Sequence, residues 1–191
     1  MKKALMIASI LFVAVISTAC INNIAVQELN NKAAEYMEKG DYESAINRLQ
    51  ASLDLDSSIY QTYYNLGVAS INANKYEQAI EALESGIKIN PDFNDFYYSL
   101  GVAQIGLADE IYEKSTEEDK EEDVQENKQN ADKNNEITDE DKIKVRELKK
   151  KASENLTKYL KSASDAKDKE SAQEMIKQCE EFLTNEEKKE D

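Results

Sequence analysis

The chain has 191 residues, of which 33% are charged, and a net charge of −15. That length holds one domain with sequence to spare, and so acidic a surface is a poor match for nucleic acid, whose phosphates need lysine and arginine. Histidine is absent, so acid–base catalysis near neutrality would require a strongly shifted carboxylate or lysine.

The first element is an address. Met1-Lys2-Lys3 is a basic start, and Ala4 to Ala19 is an unbroken run of apolar and small residues. As a helix the run would reach roughly 24 Å, short of the roughly 30 Å hydrocarbon core, so a cleaved signal fits better than a permanent span. The run ends in Ile16-Ser17-Thr18-Ala19-Cys20, which resembles a relaxed bacterial lipobox, with Ser17 where leucine is usual. The resemblance implies a signal peptide over 1–19 and a diacylglyceryl group on Cys20, with 20–25 as a short tether. An ordinary secretory signal is the alternative. Ile21 is not the aspartate that retains such proteins in an inner membrane by analogy with enteric bacteria. The expected location is the cell envelope, lipid-anchored on the extracytoplasmic side of a membrane.

Beyond the tether the chain repeats itself. Gly40-Asp41-Tyr42-Glu43-Ser44-Ala45-Ile46 recurs 34 residues later as Asn74-Lys75-Tyr76-Glu77-Gln78-Ala79-Ile80. Tyr63-Tyr64-Asn65-Leu66-Gly67-Val68-Ala69 recurs at the same distance as Tyr97-Tyr98-Ser99-Leu100-Gly101-Val102-Ala103. A fixed period of this length marks a stacked repeat architecture. Each repeat reads as a pair of amphipathic helices, A and B, with apolar residues three or four apart. Gly40 and Asn74 stand at the A-to-B turn, where a left-handed cap is wanted, and Pro91 stops the second B helix. The period and wording resemble the tetratricopeptide repeat family. The resemblance implies an all-α superhelix of antiparallel helix pairs, packed through small residues at Ala33, Ala45, Gly67, Ala79, Gly101 and Ala152. Repeats 1 and 2 and helix A of repeat 3 would occupy 26–114.

The third repeat is interrupted. Its helix A is clear from Phe93 to Ile105, but Ala108 and Asp109 offer no turn residue, so the helix is expected to run to about Lys114. Residues 115–137 are dense in Glu, Asp, Lys, Asn and Gln and read as an acidic disordered insertion, too polar to offset ordering entropy. Within it Asp132, Asn134 and Glu136 suggest a calcium loop, but Ile137 replaces the required glycine and Ile143 the bidentate glutamate, so no metal is expected. Two cysteines and no histidine also cannot form the usual zinc cage, and no cofactor is expected. Helix B resumes over 138–164, capped by Thr138 with Asp141, and its Ala152 and Leu156 match Ala45 and Leu49. A capping helix follows over 168–185, started by a Ser171–Glu174 box, with Cys179 on its buried stripe; 186–191 is a charged tail.

In the family the A helices line the concave groove. That places Tyr64, Val68 and Ile71 with Tyr98, Val102 and Ile105 on the groove, a protein-binding stripe for a partner's helix or extended segment. The same stripe would equally suit the chain's own terminal helix or a second copy. Repeats that bind chaperone tails clamp a carboxylate with basic and asparagine side chains. The matching positions here are Asn30, Ala34, Asn65, Asp95 and Ser99, and only Asn65 agrees. Lys142, Lys144, Arg146, Lys149, Lys150 and Lys151 make the helix after the insertion basic; this is either a solvated face or a surface for anionic lipid or polymer. The expected function is a membrane-anchored scaffold holding envelope proteins. The alternative is a self-associating structural lipoprotein, a homo-oligomer. Nothing in the residues points to an enzyme.

Overall fold

The computed structural model describes residues 23–121, 137–162 and 168–190. The signal segment 1–19, Cys20 and residues 122–136 of the insertion lie outside the described residues. Within them are seven helices and no strand: α1 over 23–38, α2 Tyr42–Leu55, α3 Tyr60–Asn72, α4 Tyr76–Ile89, α5 Asp95–Glu121, α6 Asp139–Ser162 and α7 Lys169–Glu190.

The short helices follow from spacing and caps. α2 buries Ala45, Ile46, Leu49 and Ser52, and α4 buries Ala79, Ala82, Leu83 and Gly86, a single stripe in each case. The turns before them are left-handed, with φ of +74° at Gly40 and +55° at Asn74. Each turn closes a doubly hydrogen-bonded helix end: Asp41 N–H donates to Tyr36 C=O and Gly40 N–H to Met37 C=O, as Lys75 does to Ser70 and Asn74 to Ile71. Asp41 then caps α2, its Oδ1 accepting from Ser44 N–H at 3.1 Å.

Within a repeat the helices meet through glycine. A Cβ at Gly67 would stand 2.5 Å from Leu83 Cγ, and one at Gly101 would stand 2.6 Å from Leu156 Cγ. The partner leucine is 16 positions after Gly67 but 55 after Gly101. α5 and α6 therefore pair as α3 and α4 do, and the intervening sequence leaves the crossing intact. Leu49, Leu83 and Leu156, like Ala45, Ala79 and Ala152, are fully buried, as is Ala33. Between repeats Gly86 takes the corresponding role, since a Cβ there would strike the Phe96 ring.

Several element boundaries differ from those expected of the sequence: α1 is already helical at residue 23, inside the expected 20–25 tether, and α5 starts at Asp95, two residues after Phe93. α5 continues past Lys114 to Glu121, so 115–121 are helical and belong to α5, not to a disordered insertion. Neither glycine nor proline intervenes to stop the helix, and Lys114 pairs with Glu110 one turn back. The capping helix starts at Lys169, where Asp168 C=O accepts from Ala172 N–H at 2.9 Å, so Ser171 lies inside the helix and does not cap it. α7 then runs to Glu190, making the charged tail part of the helix, for the same want of a breaker. α6 begins where expected: Asp141 N–H donates to Thr138 Oγ1 at 3.1 Å, and that hydroxyl donates to Asp141 Oδ2 at 2.7 Å.

Candidate interaction groove

The odd-numbered helices form a row, and polar or aromatic contacts mark each join. From α1, Asn30 Nδ2 donates to Ser52 Oγ at 2.7 Å, and Asn30 Oδ1 accepts from Thr62 Oγ1 of α3 at 3.2 Å. Ser52 and Thr62 are fully buried, so one amide satisfies two buried hydroxyls. From α3, Tyr64 meets Phe93 and Phe96 edge-on at centroid distances of 5.1 and 5.7 Å. From α5, Tyr98 lies 5.1 Å from the Tyr159 ring of α6, and its hydroxyl is 3.3 Å from Ser171 Oγ of α7.

All six residues of the expected stripe are half-buried, but their surroundings differ. Tyr64 and Ile71 pack on the cluster of Ala79, Leu83, Phe96, Leu100 and Ala103. Tyr98 and Ile105 pack on a cluster holding Tyr159, Leu156 and Ala172, joined by Met175 and Ile176 of α7. At the third repeat, then, the chain's own last helix shares in covering the stripe. Val68 and Val102 remain half-buried on the same two helices.

Burial is the main reason the Tyr64 hydroxyl is held above its ordinary pKa, with Asp95, Asp168 and Tyr98 adding to it and a hydrogen bond with Ser99 opposing. Burial likewise pushes Tyr159 up, with Asp168 and Asp95 next. Cys179 is buried, and its thiol is raised first by that burial, with Lys149 opposing. A raised thiol is a poor nucleophile at neutral pH.

Two features are not evident from the sequence. Phe93, in the connection before α5, is the hub of an aromatic group with Tyr60, Tyr64 and Phe96; Phe96, one turn further on, is the local signal for it. Lys149 is only 14% exposed, bonds Asp109 at 2.6 Å and lies 5.5 Å from the Phe182 ring centre, tying α5, α6 and α7 together. In sequence it reads as one lysine among several.

This arrangement of paired helices, joined in a row and crossing at glycines with a 34-residue period, has a counterpart in sequence. The model for the TPR repeat matches residues 33–70 and 71–107. Residues 33–107 are tetratricopeptide repeats. A comparison with curated proteins finds no significant match. Among solved structures, the first tetratricopeptide domain of Spaghetti (RPAP3), bound to an HSP90 peptide, is similar with a TM-score of 0.58 at 14% identity, covering 83% of this chain and 93% of that one. The tetratricopeptide domain of Arabidopsis OM64 gives 0.57 at 14% identity, covering 83% and 96%. The TPR2B domain of yeast Sti1, in complex with an Hsp70 peptide, gives 0.53 at 13%, covering 83% and 98%. These likenesses establish the fold, an all-α tetratricopeptide superhelix. Such repeats are in general protein-interaction modules and not catalysts.

Proposed function

We propose that this tetratricopeptide protein is a scaffold anchored to a membrane of the bacterial cell envelope through lipid on Cys20, holding a protein partner against the row formed by α1, α3, α5 and α7. The observation that carries the reading is the division of the stripe. Tyr64 and Tyr98 are committed to the protein's own packing, whereas Val68 and Val102 stand half-buried beside them and belong to neither cluster. The contact surface is thus the valines and the tyrosine edges, suited to apolar side chains on a helix or extended segment.

The partner differs in chemistry from the HSP90 and Hsp70 peptides that occupy similar domains. At the positions of a carboxylate clamp this chain has Asn30, Ala34, Asn65, Asp95 and Ser99, with no basic side chain. Asn30 is further engaged with Ser52 and Thr62. An acidic chain end would meet Asp95 in place of a cation. The groove takes an internal, apolar segment. We assign it no catalytic role, since the sequence has no histidine and its described thiol is buried and raised.

Photo-crosslinking amino acids at Val68 and Val102, compared with one at exposed Glu84, test the surface. Adducts to another envelope protein from the two valines alone are expected. Adducts from Glu84 in equal yield would move the surface elsewhere, and adducts to a second copy would establish self-association instead. The anchor is tested separately: Cys20→Ala should move the protein out of the detergent phase on phase partitioning, and a variant that stays there would refute lipidation.

A further inference from the structure

The basic helix of the sequence is divided by the fold. Lys149 is engaged by Asp109 and Phe182, and Lys142 lies 3.7 Å from Asp139. Lys158 is over the Tyr97 ring. The lysines left on the surface, Lys144, Lys150, Lys151 and Lys161, are solvent-exposed with Ile143. At 100° per residue, Ile143, Lys150, Lys161, Lys158, Lys151 and Lys144 fall within an arc of roughly 120°, along about 27 Å of helix. Glu147 and Glu154 lie in the same arc, with Glu140 on its extension one turn before Ile143; five lysines against three carboxylates leave the face net positive on a protein of net charge −15. α5 and α7 cover the opposite side of α6, where Val145, Ala152, Leu156 and Tyr159 are buried. Ile143 is 58% exposed.

We infer that this outer face of α6 docks on an anionic phospholipid bilayer, with the lysines against the headgroups and Ile143 entering the boundary with the acyl chains. The apolar side of α6 is spent on α5 and α7, so the contact is chiefly electrostatic, at about 1 kcal/mol per lysine near an anionic headgroup layer, with Ile143 as its one aliphatic contribution. A soluble polyanion would satisfy the lysines but gives no reason for an isoleucine among them. Repulsion by acidic residues more than about 8 Å away is screened at physiological salt, so the lysines have chiefly the carboxylates of α6 itself to outweigh.

The inference does not depend on Cys20 or on the groove. The sequence has no tryptophan, so Ile143→Trp in the full-length chain supplies a single reporter. With vesicles containing phosphatidylglycerol, its emission shifts to the blue, and with pure phosphatidylcholine it does not, although any N-terminal anchor would enter both. Adding Lys144→Gln, Lys150→Gln and Lys151→Gln weakens the anionic-vesicle response about a hundredfold, at roughly fivefold per lysine. Circular dichroism of that variant checks helicity, and raising the salt reproduces the loss without any lysine substitution. Equal emission on the two vesicles, or a shift that survives both salt and the glutamines, would overturn the assignment. Binding of polyphosphate without a blue shift would also overturn it, by naming a polymer as the ligand. Phase partitioning of the Cys20→Ala chain reports on the anchor alone, so the two ideas fail separately.

Discussion

Gly101 and Leu156 offer a test in which one substitution should reverse sign. Leu156 is fully buried, so Leu156→Ala is expected to cost about 2–5 kcal/mol. Gly101→Ala alone places a Cβ 2.6 Å from Leu156 Cγ and 2.9 Å from Cδ2, and Cγ cannot swing away as a chain end would. Overpacking of that kind costs about 1–3 kcal/mol, while the helix gains roughly 1 kcal/mol from losing a glycine. The net is a destabilisation of about 1 kcal/mol. In the Leu156→Ala background the obstacle is gone, and the same Gly101→Ala change should stabilise by roughly 1 kcal/mol. The coupling energy is then about 2 kcal/mol, well above the error of a double-mutant cycle. Urea denaturation followed by circular dichroism at 222 nm measures all four proteins. Additive effects would mean that α5 and α6 do not cross at this glycine, and the claim that the third repeat closes across the insertion would fall.

Four further outcomes are expected. Asn30→Ala leaves the buried Ser52 and Thr62 hydroxyls without their shared partner, and should cost about 1–3 kcal/mol by the same denaturation; a change within 0.3 kcal/mol would show that network to be dispensable. At the two left-handed turns Asn74→Gly should be neutral or slightly stabilising, whereas Gly40→Val, at φ +74°, should lose about 1–2 kcal/mol. Tyr64 and Tyr159 have raised pKa values in the fold, so above about pH 10 the unfolded chain loses protons that the folded chain keeps. Their contribution to stability is therefore full below that pH and declines as pH rises through the folded values. Ultraviolet titration of tyrosinate should show a late fraction that vanishes in 6 M guanidinium. Cys179, buried and raised, should react with a thiol reagent in the native full-length chain far more slowly than in urea, with Cys20→Ser removing the other thiol; rapid native labelling would show the end helix to be loosely held.

Local chemistry is legible in the residues themselves. Gly40 and Asn74 mark their turns because few residues tolerate positive φ, and Thr138 marks the start of α6 because its hydroxyl and Asp141 complete each other's hydrogen bonding. The alignment of Ala152 and Leu156 with Ala45 and Leu49 carries the split repeat, since identical burial demands identical residue types. The ends of α5 and α7 are not legible, because Glu- and Lys-rich sequence is equally at home in solvated helix and in coil, and no glycine or proline decides between them. Ser171 and Glu174 have the spacing of a cap, but Asp168 starts the helix a turn earlier. The candidate groove is half legible: periodicity puts Tyr64 and Tyr98 on α3 and α5, but their partners, Phe93, Phe96, Tyr159 and α7, are set by tertiary packing. The same holds for Lys149, whose partners Asp109 and Phe182 lie on other helices.

The row of odd-numbered helices has inner members and two ends, α1 and α7. α5 is flanked on both sides, by α3 through Tyr64 and by α7 through Tyr98, whereas α1 is held among the described residues by α2 and α3 on one side only, and Ile24 at its start is 67% exposed. In a one-dimensional stack each unit's stability is its own plus that of its contacts, so an end helix such as α1 leaves before the inner ones. If the tether ends in lipid, any pull between a captured partner and the membrane is delivered to that same helix. Under such a load α1 would detach from the α2–α3 face before the inner helices do. Repeats 2 and 3 would stay folded while the detached segment lengthens the tether.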